Sequence, residues 1–359
     1  NMKILYDYKI FYEQKYGGAS RYFVELISAL NSLDHQTLIL APIHINSHLN
    51  EKDIKKIYGV KVKNKKIFGK FYEIVNQFIN KHLISFFKPQ LIHSTYYNDF
   101  NKKNTLPTVL TVYDLIHEKY SEMYSNEKNY LPKKNAVYNV DHIICISNNT
   151  KKDLIKYYKV EEEKITVIYL AASKNILNPE LKKKNYFLYV GNRRRYKNFK
   201  TLVKAFSNGK FYKDYYLYCL GGGQFLKEEI EFFKSNKVPL DRVIYLDTND
   251  QDIEKIYINA KALIYPSVYE GFGLPILEAM SFGCPVISSN ASCLPEVYGD
   301  AALSFDPYDH DALQSKIYEL IHNKNLSSEL IYKGFEQTKK FSWEKCAKET
   351  LSVYKKIIK

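Results

Sequence analysis

The sequence predicts an α/β protein made of two doubly wound, Rossmann-like domains that face each other across a cleft. Three observations predict it. Strand-like and helix-like patterns alternate through most of the chain, which is the signature of largely parallel sheets. The 359 residues exceed one ordinary core and suffice for two. A hydrophobic content of 45% is that of a globular protein.

In the first half the strand candidates are residues 3–6, 37–40, 91–93, 109–112 and 142–146. Residues 19–30 repeat apolar side chains at helical spacing. Another helix opens at Asn149-Thr150-Lys151-Lys152-Asp153, with Asn148, Asn149 or Thr150 as its cap. A second series of strand candidates runs 186–190, 216–220, 242–246, 262–265 and 285–288. Residues 170–185 separate the two series; they are polar, lysine-rich and contain Pro179, and the linker is placed there. The domains expected are an N-terminal one over 1–170 and a C-terminal one over 171–345. A helix over 346–359 would return to the first. Residues 67–87 form an amphipathic pattern with Phe68, Phe71, Ile74, Val75, Phe78, Ile79, Leu83 and Phe86. Such a helix suits peripheral contact with an anionic membrane or the interior of the first domain, and the interior is the preferred reading.

The net charge of +14 fits phosphorylated ligands, an anionic membrane or nucleic acid. The lysines are dispersed, and no zinc-finger or RNA-recognition signature accompanies them, so no nucleic acid is expected as a partner. The five cysteines, Cys145, Cys219, Cys284, Cys293 and Cys346, show no CxxC and no close histidine, which argues against a metal site. Cys145, Cys219 and Cys284 stand in apolar runs as small core residues. No apolar run reaches the roughly 18 residues that span a bilayer. Met2-Lys3-Ile4-Leu5 leads straight into a strand, which reads as no export signal. A cytoplasmic protein with reduced thiols is expected, if membrane-bound then at the inner face.

Ligands of doubly wound sheets bind outside the carboxyl ends of the strands, and the motifs fall there. The strongest is the run 269–278, where Glu270 and Glu278 frame Gly271-Phe272-Gly273-Leu274-Pro275. Its glycines admit close approach of backbone to a ligand, and Pro275 suits a first helical turn. Free N–H groups at a helix start suit a phosphate, and ionised carboxylates accept hydrogen bonds from hydroxyls. Phosphate plus hydroxyls in one pocket suggests a nucleotide sugar. A second loop, after residues 186–190, carries Gly191, Arg193, Arg194, Arg195 and Lys197 and can neutralise a diphosphate. A third, Gly17-Gly18 before a helix, is a weaker phosphate-accessible loop, and it is not the GxGxxG of a nicotinamide site. His93, Asp114 and His117 stand near strand ends, where a histidine or carboxylate can orient a hydroxyl or take its proton. A satisfied core histidine is the commoner alternative for each. Asp250-Gln251-Asp252 and Asp309-His310-Asp311 could grip a metal, but both precede helical patterns and read as caps, so no metal and no cofactor are predicted.

Residues 265–307 resemble the donor-binding core of retaining glycosyltransferases of family 4, which have the GT-B fold. The matching residues are Glu270-Gly-Phe-Gly-Leu-Pro-Ile-Leu-Glu278, Gly283-Cys-Pro285-Val286, Ser292-Cys-Leu-Pro295-Glu296-Val297 and Gly299-Asp300-Ala301-Ala302. The likeness extends to residues 17–22, 111–116, 146–147, 189–191 and 341–345 in the same order, and it is strongest for the mannosyltransferase-B-like branch of O-antigen and capsule synthesis. It implies a hexosyltransferase that moves a sugar, mannose from GDP-mannose as the best match, to a glycan or lipid-linked glycan. It further implies that Glu270 meets the transferred sugar and Glu278 the ribose. Backbone at Phe272, Gly273 and Leu274 would approach sugar and diphosphate, and Lys197 would hold the diphosphate with an arginine. Many relatives place arginine directly before the lysine, where this chain has Tyr196, so which of Arg193, Arg194 and Arg195 acts stays open. His93 and Asp114 complete the catalytic candidates with Glu270 and Lys197. A nucleotide-sugar epimerase of the same fold is the alternative enzyme, and a basic nucleic-acid or anion-binding module the non-enzymatic one.

Overall fold

The computed structural model describes residues 2–50, 54, 56–63, 65, 68–97, 106–124, 130–172, 183–247 and 250–358. The chain divides into two compact units, residues 1–170 with 342–359, and residues 171–341. Most of the proposed linker, residues 173–182, lies outside the described residues, as does Ile67.

In the first unit the strands are β1 (Lys3–Tyr6), β2 (Gln36–His44), β3 (Ile57–Lys61), β4 (Leu91–Ser94), β5 (Thr108–Val112), β6 (His142–Cys145) and β7 (Ile165–Val167). They form one parallel sheet in the order β3-β2-β1-β4-β5-β6-β7. Leu5 pairs with Leu38 on one side and Ile92 on the other. With Leu40 they make a buried cluster under Leu83, Ile84 and Phe87. β5 and β6 are buried at every position, as expected of a parallel sheet covered on both faces.

The second unit carries β8 (Tyr186–Val190), β9 (Tyr216–Leu220), β10 (Val243–Leu246), β11 (Ala262–Tyr265), β12 (Val286–Ser289) and β13 (Ala302–Phe305). This sheet is also parallel, in the order β10-β9-β8-β11-β12-β13. Both sheets therefore reverse direction of growth once, at β1/β4 and at β8/β11, and loops diverge there to leave a crevice. The second core packs Phe187, Leu217, Ile264 and Ile287 of the sheet against Leu202, Phe206, Phe233, Leu313 and Ile317 of the helices.

Several expectations need correction. β3, β7 and β13 carried no clear strand pattern: β3 is an edge strand with mostly exposed residues, β7 has three residues, and β13 is half-buried. The helix Asn148–Tyr158 is capped by Ser147, not by the residues after it; the extended Ser147 accepts the Thr150 N–H at 3.0 Å. The chain returns to the first unit at Ser342, not after residue 345. Ser342 caps the helix Trp343–Ile357, accepting the Lys345 N–H at 3.1 Å. Trp343 packs against Tyr22, and the Tyr354 hydroxyl meets that of Tyr6 at 3.0 Å. The helix Gly69–Phe87 is not an interior helix, because Phe71, Ile74, Phe78 and Phe86 are exposed. Among the described residues no helix is long and apolar enough to cross a membrane.

Candidate active site

The crevice of the second sheet opens between the loops that follow β8 and β11, two adjacent strands. After β8 the chain bends at Gly191, whose φ of +133° favours glycine. A short turn, Arg195–Lys197, then delivers Lys197, and the helix Phe199–Asn208 follows. After β11 the chain runs through Pro266 and Tyr269 to Glu270 and reaches the helix Leu274–Ser281. Lys197 Nζ and Glu270 Oε1 meet at 2.7 Å, both side chains largely buried. The same ammonium lies 3.3 Å from the Tyr265 hydroxyl. Burial, and then the Glu270 charge, push that phenol well above its usual range, so it stays neutral.

Residues given no role by the sequence reading fix this geometry. Asn198, in the left-handed region at φ +57°, donates to Pro266 O at 3.0 Å and Pro307 O at 2.7 Å. The Val268 N–H donates to Tyr196 O at 2.8 Å, tying the two loops together. The Glu270 N–H donates to Ser292 Oγ at 2.9 Å. The Cys293 thiol is shared between the carbonyls of Glu270 and Phe272 at 3.1 and 3.2 Å. Burial raises the Cys293 thiol far above its usual range, which keeps it in the S–H form that can donate. The one available signal was asparagine after the Lys197 turn, since asparagine tolerates the left-handed region.

Gly273 caps the helix Leu274–Ser281 at φ +103°, and a Cβ there would stand 2.8 Å from Leu294 Cδ2. Pro275 has no N–H, and that of Ile276 is taken by Gly273 O at 3.0 Å. The first turn thus offers a ligand the N–H groups of Gly273 and Leu274, at the positive end of the helix dipole. Glu278 lies one turn further along this helix, and its Oε2 accepts from the Tyr257 hydroxyl at 3.0 Å.

The arginine run does not act as one cluster. Arg193 is buried and its guanidinium is engaged within the protein: Nε donates to Glu229 at 2.8 Å, and Nη1 to Gly221 O at 2.7 Å. Nη2 donates to Gly223 O at 2.7 Å and Gln224 O at 3.1 Å, and the group covers the Phe225 ring at 4.8 Å. The expectation that Arg193 binds diphosphate is corrected on this ground: four of its five N–H donors are spent on the protein, and the side chain is only 2% exposed. Arg194 and Arg195 are exposed.

His93 is likewise corrected as a catalytic candidate. It has no exposure, and its ring nitrogens are held by Tyr354 OH at 2.6 Å and Thr111 Oγ1 at 2.8 Å. Burial pushes it down to about 3, so it stays neutral. Asp114 is partly exposed; Oδ1 accepts the Ile116 N–H at 3.2 Å, and Lys133 Nζ stands 3.9 Å from it. Gly17 and Gly18 open the helix Gly18–Ser32 of the first unit. There Gln14 Oε1 already accepts the Ser20 N–H at 3.1 Å, and a Cβ on Gly17 would land 2.2 Å from that oxygen. All five cysteines are buried. Asp309, His310 and Asp311 cluster closely, but Asp309 Oδ1 caps the helix His310–His322 by accepting from the N–H groups of Asp311 and Ala312. Asp250 opens the helix Asp250–Asn259.

Two sheets of Rossmann order, one with a lysine–carboxylate pair and a glycine-capped helix at its switch point, define the class of two-domain proteins that carry a phosphate-suited crevice. Comparison with known proteins names the family. Residues 16–172 match the family described as Glycosyltransferase Family 4, and residues 173–337 the one described as Glycosyl transferases group 1. The chain is 32% identical to the O-antigen chain mannosyltransferase B of Escherichia coli over 59% of its length and 60% of the relative's. It is 30% identical to the O-antigen chain mannosyltransferase RfbU of Salmonella typhimurium over 66% of each. The matched regions thus span just under two thirds of those relatives. The sucrose-phosphate synthase of Thermosynechococcus elongatus superposes with a TM-score of 0.77 over 99% of both chains at 21% identity, which speaks for the fold. The chain belongs to the GT-B glycosyltransferases, in the branch that holds these O-antigen mannosyltransferases. The epimerase and nucleic-acid readings find no support in these relatives.

Proposed function

We propose that the chain is a retaining hexosyltransferase that moves mannose from GDP-mannose to a glycan or lipid-linked glycan in the synthesis of a bacterial surface polysaccharide. The observation that carries the reading is the Lys197–Glu270 pair beside the Gly273-capped helix at the switch point of the second sheet. The names of the relatives, O-antigen mannosyltransferases, support mannose as the transferred sugar and the pathway class.

In this reading the donor diphosphate takes Lys197 from Glu270, and the freed carboxylate accepts hydrogen bonds from sugar hydroxyls. Charge builds on the diphosphate as the glycosidic C–O bond breaks. Lys197 and the N–H groups of Gly273 and Leu274 would stabilise it from fixed positions. The acceptor hydroxyl forms its bond to the anomeric carbon on the same face, and its proton passes to the departing phosphate oxygen. Glu278 would receive the ribose, with Tyr257 orienting its carboxylate. The reaction as proposed needs no metal and no cofactor, and it would run in the cytoplasm.

Glu270→Gln and Glu270→Ala test the assignment. Transfer should fall by at least a hundredfold while the circular dichroism spectrum is kept. A screen of GDP- and UDP-sugars by thermal shift identifies the donor, since a ligand at a hundred times its dissociation constant stabilises by about 2.7 kcal/mol. Full activity in both variants would overturn the proposal, as would a panel in which no nucleotide sugar raises the unfolding midpoint.

A further inference from the structure

The helix Gly69–Phe87 is built inside out. Its inward side carries amides: Asn76 Oδ1 accepts the Ile43 N–H at 2.8 Å, and its Nδ2 donates to Ile43 O at 2.9 Å. This clasp fills the register shift of β2 against β3 between Leu40 and Ile43. Asn80, one turn on, is also buried and donates to Asn76 O. Near its C-terminal end Leu83, Ile84 and Phe87 pack on the first core. The outward side carries the large apolar residues, with Phe71 62%, Ile74 65%, Phe78 65% and Phe86 76% exposed, and Phe68 just before the first turn 56%. At 100° per residue these fall in a sector of about 120°. Val60 and Tyr58 on the edge strand β3 add further exposed apolar surface, and the Tyr58 ring meets that of Phe87.

The charges complete the picture. Lys70 and Lys81 run along one border of the apolar sector, and Lys88 closes the helix. Residues 55–88 hold nine lysines and one acid, Glu73. That acid is neutralised by Lys9 at 2.5 Å. An apolar stripe with a cationic border and no free acid complements a bilayer with anionic headgroups, where phenyl rings enter the acyl boundary and ammonium groups stay at the phosphates. A second copy is a poorer occupant, because it would bring another chain of net charge +14 against the same lysines.

We infer that this helix docks the protein on the surface of an anionic lipid bilayer, lying in the interface without crossing it. The inference is independent of the transfer reaction and is tested without donor or acceptor. The full chain is sedimented with phosphatidylcholine vesicles and with phosphatidylcholine–phosphatidylglycerol vesicles. Binding is expected to the second only and should weaken with added salt. Phe71→Ser with Phe78→Ser should lower the partition coefficient by roughly tenfold or more per residue, the worth of an aromatic burial. Lys70→Gln and Lys81→Gln should each cost about fivefold. Because all four side chains are exposed, the unfolding midpoint should hold, and this separates docking from folding. Absence of binding to anionic vesicles overturns the inference, as does unchanged binding in the Phe71/Phe78 variant. A dimer in solution that the same variant turns into monomer would assign the face to a second copy instead and overturn it equally.

Discussion

Arg193→Ala is the substitution that most sharply separates a structural arginine from a ligand-binding one. The pair Arg193–Glu229 has side-chain exposures of 2% and 15%, with the charges 2.8 Å apart. Truncation strands the Glu229 carboxylate, which among the described residues then keeps the Leu226 N–H, donated to Oε2 at 2.8 Å. It also strips the carbonyls of Gly221, Gly223 and Gln224 of their donor. Breaking a buried pair from one side costs about 3–5 kcal/mol. For a unit of this size that is roughly 6–20 °C in unfolding midpoint. Calorimetry gives the shift, and hydrogen exchange should localise it to residues 219–229. Arg193→Met with Glu229→Leu should lose less than Arg193→Ala alone, since no orphan charge remains. A loss of donor binding with stability unchanged would refute the reasoning, because it would show the guanidinium facing a ligand.

Two further expectations follow from the same geometry. Gly273→Ala forces a side chain into φ +103° and against Leu294, so it should cost about 1–3 kcal/mol in urea unfolding and remove the thermal shift by donor; wild-type stability would refute it. The pH dependence has a defined sign. His93 is held down to about 3 and His142 down to about 4, mainly by burial, so both are neutral when folded and protonate near 6.5 when unfolded. Their contribution is complete above 6.5 and is lost as pH falls towards 3, at up to about 1.4 kcal/mol per pH unit for each. Urea midpoints followed by Trp343 fluorescence should therefore fall between pH 7 and 5, and less steeply in His93→Gln; a flat profile would exclude buried neutral histidines.

What the sequence revealed and what it hid divide along local and non-local physics. Strands made of one short apolar run, such as β8 and β9, matched their observed limits because such a run announces itself. The edge strand β3 did not, because one side of it is solvated. The glycine at 273 and the acid at 270 were legible, since an apolar run, an acid, a glycine loop and Pro275 at a helix start stand in local order in the sequence. The partners that hold them were not: Ser292, Cys293 and Asn198 act through contacts 22 to 109 residues apart in the chain. The helix Gly69–Phe87 shows the same limit in another form. Its periodicity was visible, but periodicity does not say which face turns inward, and Asn76 was the residue that decided it.

The cation loop makes the strongest case for reading charge through topology. Arg193, Arg194, Arg195 and Lys197 are near neighbours in sequence and look like one diphosphate clamp. A chain emerging from β8 must turn at Gly191, and that turn sends Arg193 towards β9 and Lys197 towards β11. The two strands flank β8 on opposite sides. One cation therefore braces the glycine loop after β9, and the other reaches the crevice with Glu270. The strand order, not the density of charge, selects Lys197 as the cation that reaches the crevice.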